Sequence, residues 1–193
     1  MLGLKLPTDP RWANIAESNL ENILSDHAWC EQKAASNAIS LITNNPDKPD
    51  LVHRLTEIVL EEMEHFQMVI KIIEERQYQL LPENKDDYVN DLLKFIRKGE
   101  GREIALIDRL LFAAMIEARS CERFKVLSDN IDDKELAEFY RELMISEANH
   151  YTTFIGFARE YAETVDVDQR WKEWLEYESK VIQSYGTSET IHG

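Results

Sequence analysis

The chain has little of what strands, a disulfide framework or a membrane span require. Six glycines and five prolines in 193 residues leave few turn-forming positions, and alternating strand-like segments are scarce, so a mainly β architecture is excluded. Two cysteines, Cys30 and Cys121, form no Cys-x-x-Cys pair, which argues against a thiolate zinc site and fits reduced core residues better than a disulfide. Nowhere do about 18 apolar residues run consecutively. The start, MLGLKLPTDPRW, lacks a basic region followed by an apolar run, so a soluble, cytoplasmic protein without membrane association is expected. Basic residues are also in deficit: 22 Lys and Arg stand against 37 Asp and Glu, a formal charge of −15. DNA, or any nucleic acid gripped mainly by bulk electrostatics, is a poor partner for such a surface, because phosphate binding depends on Lys and Arg displacing counterions.

What the chain does have is long three-to-four-residue apolar periodicity, and the expectation is all-α in a single domain over residues 1–193. Asp9-Pro10 can cap and open a first helix reaching about residue 43. NNPDKPD, residues 44 to 50, breaks it, and a second helix is expected over 49–78. A connector, 79–101, carries a short helix in DDYVNDLLKFIRK and closes at Gly99-Glu100-Gly101. Further helices are expected over 102–129 and 134–163. A shorter amphipathic helix over about 168–184, with Trp171, Trp174, Leu175 and Val181 on its apolar stripe, precedes a polar tail, GTSETIHG.

The inward stripes carry an anomaly. In the second helix the stripe reads Leu51, Leu55, Ile58, Glu62, His65, Val69, Ile72, and in the fourth Leu136, Tyr140, Leu143, Glu147, His150, Phe154, Phe157, Tyr161. Each presents Glu-x-x-His to its own apolar seam. The first helix reads Leu20, Leu24, His27, Glu31, Ala34, Ala38, Leu41, and the third Leu106, Leu110, Ala113, Glu117, Ser120, Phe124, Leu127, with one glutamate each. A buried carboxylate without a compensating charge costs several kcal/mol or becomes neutral. Glu31 and Glu62, and likewise Glu117 and Glu147, lie equidistant from the turn between them, so at about 1.5 Å per residue each pair returns to one height. Two helical hairpins of this kind, packed as a four-helix bundle, would converge Glu31, Glu62, His65, Glu117, Glu147 and His150 on one layer. Carboxylate oxygens with imidazole nitrogens suit Fe(II) or Mn(II), and this donor pattern is the di-iron or di-manganese arrangement of ferritin-like bundles.

Other groups read more plainly. Glu61 and Glu64 lie off the seam and are expected to be solvated. His27, one turn before Glu31, fits a hydrogen-bonded core histidine, with a role beside the metals or in a substrate pocket as the alternative. Ala34, Ala113 and Ser120 leave room for O2 and a small apolar chain, or for close helix packing. Lys94, Arg97, Lys98 and Arg102 form a local basic cluster, with Arg109, Arg119, Arg123 and Lys125 further on. A solvated face and an anion-binding face are both open readings of it.

Around the seam acids, DHAWCEQKAAS, LEEMEHFQMV, IEARSCERF and SEANHYTTF together resemble the MiaE-type hydroxylases that modify the prenylated, methylthiolated adenosine beside the anticodon of tRNA. The similarity runs from about Trp12 to Tyr161 and includes the neighbours of the seam acids. It implies a ferritin-like di-iron monooxygenase in which Glu31, Glu62, His65, Glu117, Glu147 and His150 hold two iron ions, with O2 as co-substrate and an external electron donor, an electron-transfer protein or reductase. The implied reaction is hydroxylation of the isopentenyl side chain of 2-methylthio-N6-isopentenyladenosine. The resemblance supplies no motif for tRNA contact, which leaves Lys94, Arg97, Lys98 and Arg102 as the candidates. A storage or peroxidase-type ferritin relative would share the ligands, and an acyl or aldehyde oxygenase would share the oxidant too.

Overall fold

A computed structural model describes residues 2–183, 185 and 191. Among these are seven helices and no strand: α1 (Trp12–Ser18), α2 (Leu20–Asn44), α3 (Pro49–Glu75), α4 (Asp87–Leu93), α5 (Arg102–Asn130), α6 (Lys134–Tyr161) and α7 (Val167–Ile182). None of them is long and apolar enough to cross a membrane. The chain divides into two compact units, one built on residues 2–17 and 86–183, the other on Ser18–Lys85.

In the Ser18–Lys85 unit, α2 and α3 form a hairpin. Pro49 opens α3 at a first-turn position where its missing N–H costs nothing. The stripe of α3 is buried at Leu51, Leu55, Ile58, Glu62, His65 and Val69, then at Ile73 rather than Ile72. A strict four-three alternation has a period of 3.5, whereas the α-helix turns once in 3.6 residues, so the seam drifts forward over several turns. In α2 Ala35 is buried in place of Ala34, and the stripe resumes its expected register at Ala38 and Leu41. After α3 the chain crosses back over α2: Trp29 Nε1 donates to the Leu81 carbonyl at 2.9 Å and Leu81 N donates to Ser25 Oγ at 3.0 Å. The buried Ile191 donates its backbone N–H to Asp26 Oδ2 at 2.7 Å. The rest of the polar tail, and Ser184 at the expected end of the last helix, lie outside the described residues.

In the other unit, α5 and α6 form the second hairpin, with α4 and α7 packed beside α5. Aspartates cap three helices: Asp86 accepts from Val89 N, Asp133 from Leu136 N and Asp166 from Gln169 N. The predicted stripes of α5 and α6 are buried from Leu106 to Leu127 and from Leu136 to Phe157. A charged network ties the surrounding segments to α5. Arg119, fully buried, donates to Glu178 Oε1 on α7 at 3.0 Å, to Glu122 Oε2 at 3.0 Å and to the Leu6 carbonyl at 3.2 Å. Thr8 completes it by donating its N–H and hydroxyl to Glu122 at 2.8 and 2.6 Å.

Three boundaries differ from the sequence expectation, one being α4, which ends at Leu93 rather than continuing through Lys98. The first helix is broken at Asn19, whose φ of −136° and ψ of 46° leave the helical region. Asn competes for backbone hydrogen bonds and tolerates such a break better than most residues. The second helix stops at Glu75, not at Tyr78. Gln77 takes a positive φ of 60°, Gln77 N donates to the Glu74 carbonyl and Tyr78 N to the Ile73 carbonyl, both at 2.9 Å. That is a Schellman closure with glutamine where glycine is usual, so the usual sequence signal is missing.

Candidate metal centre

Each unit gathers one cluster of acids with an imidazole. In the Ser18–Lys85 unit, α2 supplies Glu31 and α3 supplies Glu62 and His65. One donor atom from each lies within 4.8 Å of the others. His65 Nδ1 stands 3.5 Å from Glu62 Oε2 and 3.7 Å from Glu31 Oε2. All three are buried, Glu62 completely. The three-residue spacing of Glu62 and His65 puts both on one face of α3, and the hairpin turn sets Glu31 at their height.

Glu31 has a further neighbour on its own helix. His27 Nε2 lies 2.6 Å from Glu31 Oε1, and His27 is wholly buried. Burial pushes the Glu31 carboxyl upward, but the hydrogen bond from His27 and the nearby imidazole of His65 outweigh it and hold the group below the ordinary carboxylate range. Glu31 is therefore ionised, and the imidazole N–H is the donor.

In the other unit, α5 supplies Glu117 and α6 supplies Glu147 and His150, again with one donor atom each within 4.8 Å. His150 Nδ1 is 3.9 Å from Glu147 Oε2, and all three are buried. Cys121, one turn after Glu117, donates its thiol to the Met144 carbonyl at 3.2 Å. Its thiol is pushed up to about 12, first by burial and then by the charge of Glu147, so this cysteine is a neutral packing group at any ordinary pH.

The six seam residues thus fall into two buried clusters of two carboxylates and one imidazole, one per hairpin. Carboxylates this close, removed from water, call for a cation. Oxygen and nitrogen donors without thiolate match iron or manganese better than structural zinc, so the donor sets are compatible with a di-iron site.

The basic cluster fares differently. Arg97 donates to Asp108 three times, from its backbone N to Oδ2 at 2.8 Å, from Nε to Oδ2 at 3.0 Å and from Nη2 to Oδ1 at 2.8 Å. Arg170 adds bonds to both oxygens of the same buried carboxylate at 3.0 Å. Lys94 pairs with Asp91. Lys98 and Arg102 are exposed, and Lys98 has no ion pair among the described residues. Further along, Arg119 and Arg123 are interior, Arg123 lying over the Trp12 ring with 4.1 Å from its guanidinium carbon to the ring centroid. Of these cations, Arg97, Arg119 and Arg123 thus serve interior contacts. The bond from His27 to Glu31 and the ion pairs of Asp108 went unforeseen; His27 stands at a seam position, whereas Asp108 lies off the stripe and carried no such signal.

Comparison with known proteins agrees with the all-helical fold. A solved structure described as a protein with aldehyde deformylating oxygenase activity from Synechococcus superposes with a TM-score of 0.90 at 30% identity, covering 98% of this chain and 95% of that one. The fold is all-α and ferritin-like. A tRNA 2-(methylsulfanyl)-N(6)-isopentenyladenosine(37) hydroxylase from Pseudomonas putida is 35% identical over 94% of this chain and 87% of its own length. One of the same description from Salmonella typhimurium is 28% identical over 94% of this chain and 84% of its own. The family model tRNA-(MS[2]IO[6]A)-hydroxylase (MiaE) matches residues 2–193, and with that span and those relatives the chain belongs to the MiaE family of tRNA hydroxylases.

Proposed function

We propose that the two clusters close into one interior layer of a four-helix bundle in a single domain, that Glu31, Glu62, His65, Glu117, Glu147 and His150 hold two iron ions there, and that the protein hydroxylates the isopentenyl side chain of 2-methylthio-N6-isopentenyladenosine in tRNA. The observation that carries the reading is the repeat itself. Each hairpin buries a lone glutamate beside Glu-x-x-His, and family similarity extends over the whole chain rather than over the acids alone. Bound there, two irons would supply the reduction of O2 and the transfer of one oxygen atom to an allylic carbon.

The protein's own part is placement and exclusion of water. His65 and His150 present Nδ1 toward the carboxylate next to them on the same helix. The apolar turns that flank each cluster, Ile58 and Val69 on α3 and Leu143 and Phe154 on α6, are buried and keep solvent from the reacting oxygen. Reducing equivalents come from an electron-transfer protein or reductase, and the setting is the cytoplasm, where tRNA is found. With a charge of −15, the grip on tRNA is local and reads a splayed, unstacked base rather than a long stretch of backbone. Lys98 and Arg102, both exposed, are the cations of the original cluster proposed for that contact; Arg97 is bound to the buried Asp108.

A second reading rests on the Synechococcus structure, whose described activity is on aldehydes. One experiment separates the two: iron-loaded protein, an electron source and O2, offered tRNA carrying the prenylated nucleoside or a fatty aldehyde. Mass spectrometry of the digested nucleosides is expected to find one added oxygen on the prenyl group. Conversion of the aldehyde with the nucleoside untouched would overturn the tRNA reading in favour of the second.

A further inference from the structure

We propose that His27 is a positioning residue for Glu31, taking one oxygen of that carboxylate so that only the other is presented to a metal. The inference rests on the two-metal reading above. His27 and Glu31 are four residues apart on α2, so they share a face, and the 2.6 Å separation of Nε2 and Oε1 is that of a charge-assisted bond. The two oxygens of Glu31 divide their company: Oε1 meets His27, while Oε2 is the atom recorded against His65 Nδ1 at 3.7 Å. The terminal torsion of a glutamate is broad and sets which oxygen leads. A buried donor fixed on Oε1 removes that freedom and disfavours bidentate binding.

The repeat makes the point sharper. The two hairpins match at every proposed ligand, yet the residue one turn before Glu117 is Ala113, where Glu31 has His27. The imidazole that holds the lone glutamate of one hairpin therefore has no counterpart at the matching position of the other. Removing His27 would therefore fall on the metal position that Glu31 serves.

The test is anaerobic titration with Fe(II), and with Co(II) read by its visible absorption, in wild-type protein and in His27→Ala, His27→Gln and His27→Asn. Gln places an N–H near the position of Nε2; Asn, one carbon shorter, does not reach. Expected is retention of two metals per chain in His27→Ala at high metal, with one site weakened about 10–100-fold and one set of Co(II) bands changed in intensity as Glu31 becomes bidentate. Gln restores wild-type affinity and spectrum, and Asn does not. Unchanged affinities in His27→Ala, or identical behaviour of Gln and Asn, would overturn the proposal. Complete loss of one metal in both Ala and Gln variants would do so as well, by making His27 a ligand. Should His27→Ala fail to fold, the Gln and Asn pair decides. Wild-type protein that binds fewer than two metals would sink the two-metal reading itself, a result seen before any variant is made.

Discussion

Arg97 holds the buried carboxylate of Asp108 with its guanidinium and with its own backbone N–H, three bonds of 2.8 to 3.0 Å from one residue to another eleven positions away. Burial drives the Asp108 carboxyl upward, and the bonds from Arg97 and Arg170 more than reverse it. Deleting the Arg97 side chain leaves part of that charge in the interior uncompensated. Arg97→Ala is expected to destabilise the chain by about 1–3 kcal/mol in urea unfolding, with its metal content unchanged under native conditions. An arginine whose role was confined to tRNA would leave the unfolding midpoint where it was.

Charge reversal aimed at tRNA therefore belongs on the exposed pair. Lys98→Glu with Arg102→Glu is expected to weaken tRNA binding and to lower the salt dependence by about one phosphate contact for each cation that touches the backbone. Unfolding should be little affected, because both side chains are exposed. Equal tRNA affinity in the double variant would return this segment to a solvated role and move the search to another face.

Glu103 supplies a test of pH dependence. Its carboxylate accepts the backbone N–H groups of Thr164, Glu163 and Val165 at 2.7, 2.8 and 3.2 Å, and the Thr164 hydroxyl at 2.9 Å. These bonds, the Thr164 N–H first, lower its pKa from an ordinary 4.5 to about 2. A carboxyl depressed in the folded state contributes stability that is fully present above 4.5 and is lost as pH falls toward 2. The gap in melting temperature between wild type and Glu103→Gln should be constant above pH 5 and narrow through that window. A gap that does not change with pH would mean that the carboxylate's charge is irrelevant to the α6–α7 turn.

Much of this was legible before any coordinates, for a reason that also explains the omissions. A residue on a long helix has its direction fixed by the helical period, so Glu62, His65, Glu147 and His150 declared themselves by occupying positions that Leu or Ile should hold. Their burial followed from register alone. Arg119 lies off that stripe on α5 and is buried all the same; its partner Glu178 lies 59 residues away on another helix, and nothing in either segment names the other. Arg97 was misleading for the same cause: a cation in a basic cluster reads as open to an anionic partner until the aspartate beneath it is located. The break at Asn19 and the Schellman turn at Gln77 depend on single torsions that periodicity does not see. His27 stood on the seam in plain view, but which atom it touches is a matter of rotamer.

Metal content tests the six ligands. Protein loaded with Fe(II) without oxygen is expected to carry two irons per chain, the stoichiometry of this donor pattern. Glu62→Ala and His150→Ala are each expected to lose at least one, measured by elemental analysis after desalting. Full iron in both variants would mean that the seam residues are not the ligands.

Glu117→Ala separates the chemistry from the fold. The acid sits buried beside Glu147 and His150, so in metal-free protein its removal relieves repulsion among carboxylates held near one another. The metal-free variant should therefore keep its helical signal and melt no lower than wild type, while the iron-loaded variant forms no hydroxylated nucleoside. With labelled O2, the wild-type product should carry the label, because oxygen inserted into a C–H bond derives from dioxygen whereas hydration of the prenyl double bond draws on water. A labelled product from Glu117→Ala at the wild-type rate would remove Glu117 from the site. An unlabelled product from wild type would replace hydroxylation with hydration.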